Sequence, residues 1–353
     1  MTNVQRRIVQ PSYILAVVIL VSPAIASAQK RTAPSAADTQ QMIAVQVALD
    51  RAGFSPGEID GRMGSKTRLA LSEFQKASKV QSTAGITEET LAALGAPSDP
   101  ILAYTITQQD VAGPFLDAMP RDMMESAKLP ALGYTSALEA LAEKFHASPT
   151  LLRTLNPGAT WAAGESIKVP SVEPFELPTK AEKPAATAKP APGAKPAPGA
   201  KPDAAAAKSN VPPKPAAAAV EVVVSGATKS LSVRDATGKV LMYAPITVGS
   251  TKDPLPVGDW KVTGVSWNPT FNYNPDLFWD ADPTHAKAKI PPGPNNPVGV
   301  VWVDINKEHF GLHGTPEPST IGRTESHGCL RLTNWDATKL GRLVSAGTKV
   351  TIQ

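Results

Sequence analysis

A short stretch near the C-terminus concentrates the residue types that perform acyl transfer. It contains His313-Gly314 and, after residues 315–325, the run Ser326-His327-Gly328-Cys329-Leu330-Arg331. Cys329 is the only cysteine of the chain. A thiol becomes a strong nucleophile when a neighbouring base removes its proton, and His313 and His327 are the candidate bases. The pattern therefore predicts a cysteine nucleophile served by a histidine.

Other residues of the same stretch suit this chemistry. Gly314 and Gly328 allow close approach of the backbone, and the amides around Cys329 could stabilise an oxyanion. The planar guanidinium of Arg331 matches a substrate carboxylate, although a surface ion pair is an alternative role. His327 lies two residues before Cys329, so on an extended backbone the two side chains share one side of the chain without having to meet.

Three other interpretations compete with a nucleophile. Most lone cysteines are small, inert apolar residues. A metal site built from His313, His327 and Cys329 is the main rival enzyme interpretation. His309 and His313 also have the four-residue spacing of a helical zinc site, but Gly311 favours strand or loop there and no HExxH glutamate is present. We expect a nucleophile, with no metal and no cofactor.

The spacing of these residues resembles the signature of the L,D-transpeptidases, the YkuD-fold enzymes of the bacterial cell wall. The resemblance continues through residues 220–353, at Val248-Gly249-Ser250, Leu255–Trp260, Ile290–Gly299 and Gly347-Thr348-Lys349-Val350. Leu255 departs mildly, because the family often has Thr at that place. The expected fold class is thus a multidomain chain with a mostly-β, YkuD-like catalytic domain at its C-terminus.

The resemblance implies a role for each residue of the motif. Cys329 attacks the carbonyl of the diamino acid at position three of a stem tetrapeptide, and the terminal D-alanine leaves. His313 takes the thiol proton and later assists the incoming amine, while the Gly314 backbone orients His313. Arg331 holds a substrate carboxylate. The remaining motif residues are expected to shape the loop: Ser326, His327 and Gly328.

The same acyl-enzyme allows several outcomes. It can cross-link peptidoglycan stems, attach a lipoprotein to the wall, exchange D-amino acids or trim stems as an L,D-carboxypeptidase. Peptidoglycan stem peptides and glycan are the expected partners, and a carbapenem is the expected inhibitor. A non-catalytic wall-binding protein is the rival from another class, but such a protein has no reason to keep Cys329 together with His313.

The elements that must position this site are mostly short strands. Predicted strands cover Val220–Val224, Ser230–Arg234, Val240–Ala244, Trp260–Val265, Val298–Asp304, Phe310–His313 and Thr348–Ile352, with one helix from Asn334 to Ser345. Asp235-Ala236-Thr237-Gly238 is a candidate hairpin turn. Between the strands lies a group of aromatic residues that predicts either a lid over the cleft or ordinary packing: Trp267, Phe271, Tyr273, Phe278 and Trp279.

Residues 40–96 predict three short helices. The first ends near Gly53, the second runs from about Lys66 to Lys79, and Thr87 caps a third that ends at Gly95. The string Gly53–Gly64 resembles the small helical peptidoglycan-binding domain. A three-helix spacer is the alternative, so we assign no ligand contacts here.

Residues 101–172 predict a strand, two helices and a strand. Tyr104 opens the first strand, Ser136–Phe145 and Thr150–Leu155 form the helices, and Ile167–Pro170 the second strand. This order resembles an α+β LysM glycan-binding module. The front end departs from that pattern, because the usual Gly-Asp-Thr-Leu is missing and about 20 residues intervene after Asp110. We therefore interpret the module as a degenerate copy.

The two remaining segments predict an export signal and a linker. Residues 1–28 combine Arg6 and Arg7 with a short apolar run and an Ala-Ser-Ala site, which predicts a cleaved signal peptide and a location in the periplasm or cell wall. An uncleaved anchor is the alternative. Residues 173–219 are rich in Ala, Pro and Lys and predict an extended linker that separates the binding modules from the catalytic domain.

The charge distribution argues against a nucleic-acid ligand. The formal charge is +4, but lysines of the linker supply the excess, with only Glu182 and Asp203 opposing them over residues 179–219. Nucleic-acid binding requires a basic face on a folded module. We therefore expect no nucleic-acid partner.

Overall fold

The computed structural model describes Met1 and residues 35–82, 85–178 and 220–353. The predicted signal peptide beyond Met1 and most of the predicted linker lie outside these residues. Residues Ala36–Gln353 form one compact unit. In the part of the chain that is described, no helix combines the length and apolar character of a membrane span.

The N-terminal helices form as predicted. They are α1 (Ala36–Arg51), α2 (Ser65–Ala77) and α3 (Glu88–Leu94). Thr87 caps α3 by accepting a hydrogen bond from the Thr90 amide, and Gly95 ends it in the left-handed conformation that favours glycine. Local capping chemistry is therefore enough to define the boundaries of α3.

Helix α1 is buried on two faces, which explains its lack of a single apolar stripe. Val45 and Leu49 pack against α2 and α3, whereas Ile43 and Val47 pack against the following module. The three-helix domain and the LysM-like module consequently share α1 between their cores.

The LysM-like module has the predicted order of strand, helices and strand. Its elements are β1 (Ile101–Thr105), a short α4 (Met123–Ser126), α5 (Ala137–Lys144), α6 (Pro149–Leu155) and β2 (Ser166–Pro170). Strands β1 and β2 pair antiparallel, and Ser136 and Ser148 cap α5 and α6. Residues 113–133, which hold α4, interrupt this pattern, and we call them the inserted segment.

An eight-stranded sheet dominates residues 220–353. Its members and the one α-helix of this stretch are β3 (Val220–Ser225), β4 (Ser230–Asp235), β5 (Val240–Pro245), β6 (Gly258–Trp267), β9 (Val301–Ile305), β10 (Gly311–His313), β11 (Leu330–Arg331), β12 (Lys349–Ile352) and α7 (Asn334–Leu343). The spatial order is β11-β10-β9-β6-β12-β3-β4-β5. Two further strands, β7 (Phe271–Tyr273) and β8 (Ala288–Ile290), form a separate hairpin.

One predicted strand begins later than the sequence indicated. The run Val298–Asp304 suggested a continuous strand, but β9 begins at Val301. Gly299 has a φ of +61°, and a Cβ there would lie 2.1 Å from the Asn334 side chain. A close approach to Asn334 and Gly314 therefore turns the chain before the strand can start.

The sequence predicts a linker that separates the binding modules from the catalytic domain, but described residues of the three-helix domain and of β5 are in direct contact. Tyr243 on β5 donates its amide hydrogen to the Gly53 carbonyl at 2.8 Å, and the Ser55 amide donates to the Tyr243 carbonyl at 2.9 Å. Phe54 stacks on the Tyr243 ring. The loop after α1 thus covers the free edge of β5, an edge that would otherwise invite aggregation.

Candidate active site

Parallel strands β10 and β11 bring the motif residues to one face of the sheet. His313 pairs with Arg331 and Leu312 with Leu330. Side chains of directly paired residues point to the same face and alternate along a strand, so the two leucines enter the core on the other face. Cys329 immediately precedes β11 in a bend, and the charge of Arg331 acts on both the Cys329 thiol and the His313 imidazole. Arg331 thus lies close to both Cys329 and His313, and we call these three residues the catalytic face.

His313 is held in one orientation. Its side chain is 4% exposed, and its Nδ1 lies 2.7 Å from the Gly314 carbonyl oxygen, to which it can only donate. Nε2 is then the ring nitrogen that accepts a proton. Burial lowers the pKa of His313 to about 3, opposed by the Gly314 hydrogen bond. The imidazole is therefore neutral at ordinary pH and able to act as a base.

Trp302 on β9 supports the imidazole from its flat side. It is the register partner of His313, and the two rings stack at a centroid distance of 5.3 Å with planes 14° apart. Gly311 makes room for this indole, because a Cβ there would lie 2.4 Å from it. Sequence reasoning missed Trp302; its position on the strand next to His313 was the available signal.

The Cys329 thiol is half-buried and held by weak contacts. Sγ donates to the His309 carbonyl oxygen over 3.7 Å. Burial raises the pKa of the thiol, while the Gly311 amide and the charge of Arg331 oppose that increase. A thiol with a raised pKa is protonated at rest, so a reaction at Sγ would need a base to take its proton.

Arg331 brings a positive charge that interacts at longer range with Cys329 and Glu317. Its side chain is half-buried, and burial lowers its pKa. Within residues 35–82, 85–178 and 220–353, no carboxylate forms an ion pair with its guanidinium, and the interpretation of Arg331 as a surface ion-pair partner gains no support. A half-buried guanidinium that keeps its donors free is suited to an anionic ligand.

The remaining motif residues shape the loop. The Ser326 hydroxyl donates to the Cys329 carbonyl at 2.6 Å, and the Ser326 amide donates to the Val248 carbonyl. Gly328 has a φ of +109°, and a Cβ there would meet the Phe310 ring at 2.9 Å. These contacts fix the turn that presents the thiol.

His327 is engaged elsewhere. Its Nε2 lies 2.6 Å from Asp280 Oδ1, and its ring packs edge-on against Phe278 at 4.9 Å. Among the described side chains, no group of three or more His, Cys, Asp and Glu residues is arranged to hold a metal ion. His309, the other histidine of the proposed zinc spacing, is exposed and pairs with Glu308.

The aromatic group resolves into packed and exposed members. Residues 271–290, which we call the lid, contain the β7–β8 hairpin and its connecting loop. Tyr273 is buried, whereas Trp279 is 55% exposed and lies under the Lys252 ammonium at 3.5 Å. Ordinary packing is therefore present for Tyr273, and for Trp267, which is buried in the core of the sheet. The role of residues 271–290 as a lid over the cleft stays a prediction.

Comparison with known proteins agrees with this geometry. Residues 219–352 match the family model described as "L,D-transpeptidase catalytic domain", and residues 38–94 match the model described as "Putative peptidoglycan binding domain". Residues 219–352 are an L,D-transpeptidase catalytic domain. The N-terminal helices form a peptidoglycan-binding domain, as the resemblance of the Gly53–Gly64 string implied.

Individual relatives match over the catalytic domain. The chain is 44% identical to the "Putative L,D-transpeptidase YkuD" of Bacillus licheniformis over 133 residues, which are 38% of this chain and 64% of that protein. It is 29% identical to the protein of the same name from Bacillus subtilis, over 40% of this chain and 70% of that protein. The chain thus spans about two thirds of the length of these relatives.

A solved structure shows a more distant likeness. It is L,D-transpeptidase 3 from Mycobacterium tuberculosis in complex with a faropenem-derived adduct, with 21% identity and a TM-score of 0.32 over 38% of this chain and 60% of that one. None of these comparisons supports the LysM assignment of residues 101–172, which stays a prediction.

Proposed function

We propose that this protein is an exported cysteine L,D-transpeptidase that acts on peptidoglycan stem peptides through a thioester on Cys329. The observation that carries the proposal is the catalytic face, where the neutral His313 imidazole and the Arg331 guanidinium lie on paired residues of adjacent strands, and the Cys329 thiol next to β11 is within reach of the Arg331 charge. The catalytic roles below follow from that arrangement and from the L,D-transpeptidase domain.

The first half-reaction forms the acyl-enzyme. Nε2 of neutral His313 accepts the thiol proton as Sγ of Cys329 attacks the carbonyl carbon of the third stem residue. The bond from that carbon to the terminal D-alanine nitrogen then breaks, and His313 returns the proton to the leaving amine. The products are D-alanine and a thioester on Cys329, with no net gain or loss of protons.

The second half-reaction resolves the thioester. The side-chain amine of another stem attacks the thioester carbon and gives its proton to His313, and the C–S bond breaks as Cys329 recovers a proton. Cross-linked stems result. A lipoprotein amine would give attachment to the wall, and water would give simple trimming. Arg331 holds a carboxylate of the stem during these steps.

The same two devices suit a β-lactam inhibitor. A carbapenem presents a strained acyl carbonyl beside a carboxylate, so Cys329 can open the ring while Arg331 binds the carboxylate. The resulting thioester persists when no acceptor amine is placed to resolve it. The proposed inhibition depends on the reactivity of the β-lactam ring, on the Cys329 thiol and on the Arg331 guanidinium.

Export and wall binding complete the proposal. The signal sequence of residues 1–28 delivers the chain to the periplasm or cell wall, where stem peptides are found. The peptidoglycan-binding domain at residues 38–94 is suited to retain it on the wall.

Mass spectrometry tests the reaction directly. The purified chain without residues 1–28 is incubated with disaccharide tetrapeptides, and its intact mass is followed with the muropeptides. We expect a transient adduct equal to the donor minus D-alanine, located on Cys329, together with cross-linked dimers. Trimmed tripeptides without dimers would instead assign a carboxypeptidase, and an unchanged substrate with unmodified enzyme would assign a non-catalytic wall-binding protein.

A further inference from the structure

The inserted segment of the LysM-like module packs on the base of the lid. The Leu132 amide donates to the Pro292 carbonyl at 2.9 Å, and the Asn295 amide donates to the Leu132 carbonyl at 3.0 Å. A Cβ on Gly293 would lie 2.2 Å from the Leu132 carbonyl oxygen. Two backbone hydrogen bonds and a glycine-dependent contact thus join the inserted segment to residues 292–295, which directly follow the lid in the chain.

An apolar cluster fills the space between them. Leu132 is fully buried with Tyr273 and Ile290 of the lid, and further residues of the inserted segment and the lid surround these three: Met119, Met123, Ala127, Leu129, Phe271, Phe278 and Ala288. Within the described chain, residues of the lid take part in no other cluster of buried apolar side chains. Its packing therefore depends on a segment that belongs to the N-terminal half of the chain.

A polar contact fixes the outer part of the same interface. Asp122 Oδ2 lies 3.1 Å from His285 Nε2, and the Tyr273 hydroxyl lies 2.9 Å from His285 Nδ1. The hydrogen bond from His285 lowers the pKa of Asp122. Asp122 also caps α4 through its other oxygen, so α4 and the lid histidine are positioned by one carboxylate.

The opposite side of the lid reaches the catalytic loop. Asp280 bonds to His327, Phe278 packs against the same imidazole, and Trp279 lies 5.5 Å from it. His327 stands two residues before Cys329, separated by Gly328. The lid is therefore in contact with the inserted segment at one end and with the nucleophile's loop at the other.

We infer that the inserted segment is a positioning element of the active site, which sets the lid against the loop of Cys329 and so determines access and binding of the stem peptide. The catalytic unit accordingly extends beyond residues 220–353 to the inserted segment. The inferred effect on binding of the stem peptide rests on the function proposed above, whereas the inferred effect on access to the Cys329 thiol does not.

The test measures access to Cys329, which is the only thiol. Alkylation rates are compared for iodoacetamide and the bulky 5-iodoacetamidofluorescein, reagents with the same reactive group. Asp122→Ser removes the contact with His285 while keeping a good helix cap. Glu125→Ala is the matched control, because Glu125 lies on α4 and pairs only with exposed Lys128. His285→Phe breaks the same contact from the lid and keeps an aromatic ring beside Tyr273.

We expect Asp122→Ser and His285→Phe to raise the bulky-to-small rate ratio about three- to tenfold, the effect of one lost charge-assisted hydrogen bond on lid position. KM for the stem peptide should rise by a similar factor with kcat nearly unchanged, while Glu125→Ala behaves as wild type. Melting temperatures confirm that each variant is folded. Unchanged ratios in both folded contact variants would overturn the inference.

A double-mutant cycle with Asp280→Ser distinguishes positioning from general softening. If the lid transmits the effect of Asp122, then Asp122→Ser should change the alkylation-rate ratio little in a protein that already carries Asp280→Ser, because Asp280 no longer holds His327. Fully multiplicative effects of the two changes would overturn the inference. A wild-type protein that is alkylated but turns over no stem peptide would refute the proposed function. The alkylation-rate ratios would then still decide whether the inserted segment positions the lid.

Discussion

Two buried polar clusters of this chain differ in whether their members are satisfied. The catalytic face of Cys329, His313 and Arg331 keeps hydrogen-bonding capacity unused: its thiol donates only over 3.7 Å, and its guanidinium has no ion-pair partner among the described residues. Such groups raise the free energy of the empty site, because buried polar groups normally find partners.

The second cluster lies between the N-terminal modules and α7, and we call it the junction cluster. Asp336 accepts hydrogen bonds from Ser55 at 2.8 Å and from Thr333 at 2.7 Å, while His146 lies 3.1 Å from Asp50 and stacks on Trp335. Here the carboxylates of Asp336 and Asp50 have hydrogen-bond partners, whereas the buried indole N–H of Trp335 has none. The result is a docked interface.

The difference between the two clusters distinguishes a site for catalysis from a contact that holds the domains together. Burial perturbs pKa values in both clusters, so a shifted pKa alone does not identify the active site. Unused donors and acceptors beside a nucleophile distinguish the catalytic face from the junction cluster. Substitutions should therefore alter activity without stability in the first cluster and stability without chemistry in the second.

The largest expected effect is the loss of the nucleophile. Cys329→Ala should lower turnover at least ~10³-fold, because the covalent step disappears, and should change the free energy of unfolding by less than about 1 kcal/mol. Turnover and thermal melts measure both quantities. A variant that keeps most of its activity would contradict the thiol mechanism, and activity lost on chelation and restored by zinc would favour the metal alternative.

Replacement of the base should have the next largest effect. His313→Gln keeps a donor for the Gly314 carbonyl but removes the proton acceptor, so acylation should slow by about 10²–10⁴-fold. The exposed His309→Gln is the matched control and should acylate normally.

The pH dependence sharpens this prediction. Because burial lowers the pKa of His313 to about 3, the neutral base persists as pH falls and is lost only near that value. Single-turnover acylation should show no acid limb near the usual histidine pKa of about 6.5. A limb there that disappears in His313→Gln would show that the imidazole titrates normally.

The contact between Phe54 and β5, which lies next to Ser55 of the junction cluster, should respond in stability alone. Phe54→Ala removes a buried ring that stacks on Tyr243 and packs edge-on against Phe74, which should lower the free energy of unfolding by about 3–5 kcal/mol. Denaturant melts measure the loss. Alkylation of Cys329 by iodoacetamide, measured well below the melting temperature, should proceed at the wild-type rate; a large change would mean that the junction also controls the thiol.

Arg331 should affect recognition more than the bond-making step. Arg331→Ala should slow acylation of Cys329 by a carbapenem about 10- to 100-fold, the effect of losing a charge-assisted hydrogen bond to a carboxylate. Intact-protein mass spectrometry gives the rates, with exposed Arg323→Ala as the control. Equal rates in the two variants would remove Arg331 from this role and leave Cys329 in place.

A further expected effect is a change in the pH dependence of stability. Burial raises the pKa of Asp336 from 3.8 to about 6, so the folded state holds this proton more tightly than the unfolded state. Asp336 therefore contributes less stability as pH rises through that interval. Relative to Asp336→Asn, wild type should lose up to about 3 kcal/mol between pH ~4 and pH ~7. Denaturant melts of both proteins across that range test the sign; a parallel pH dependence would contradict it.

Much of the local structure and the motif were readable from the sequence. The cap at Thr87, the stop at Gly95 and the turn at Gly238 depend on residues within a few positions of each other. The pattern also selected Cys329, His313 and Arg331, whose common face follows from strand pairing. Spacing and residue type suffice where the physical cause is local or where a motif is specific.

The tertiary structure alone decided which distant residues support that site. Ser55 and Asp336 are 281 residues apart in sequence, Asp122 and His285 are 163 apart, and no periodicity links either pair. The stacking of Trp302 on His313 depends on the exact register between β9 and β10. Such contacts arise from how whole elements pack, and packing depends on the shape of both partners at once, which a one-dimensional pattern does not contain.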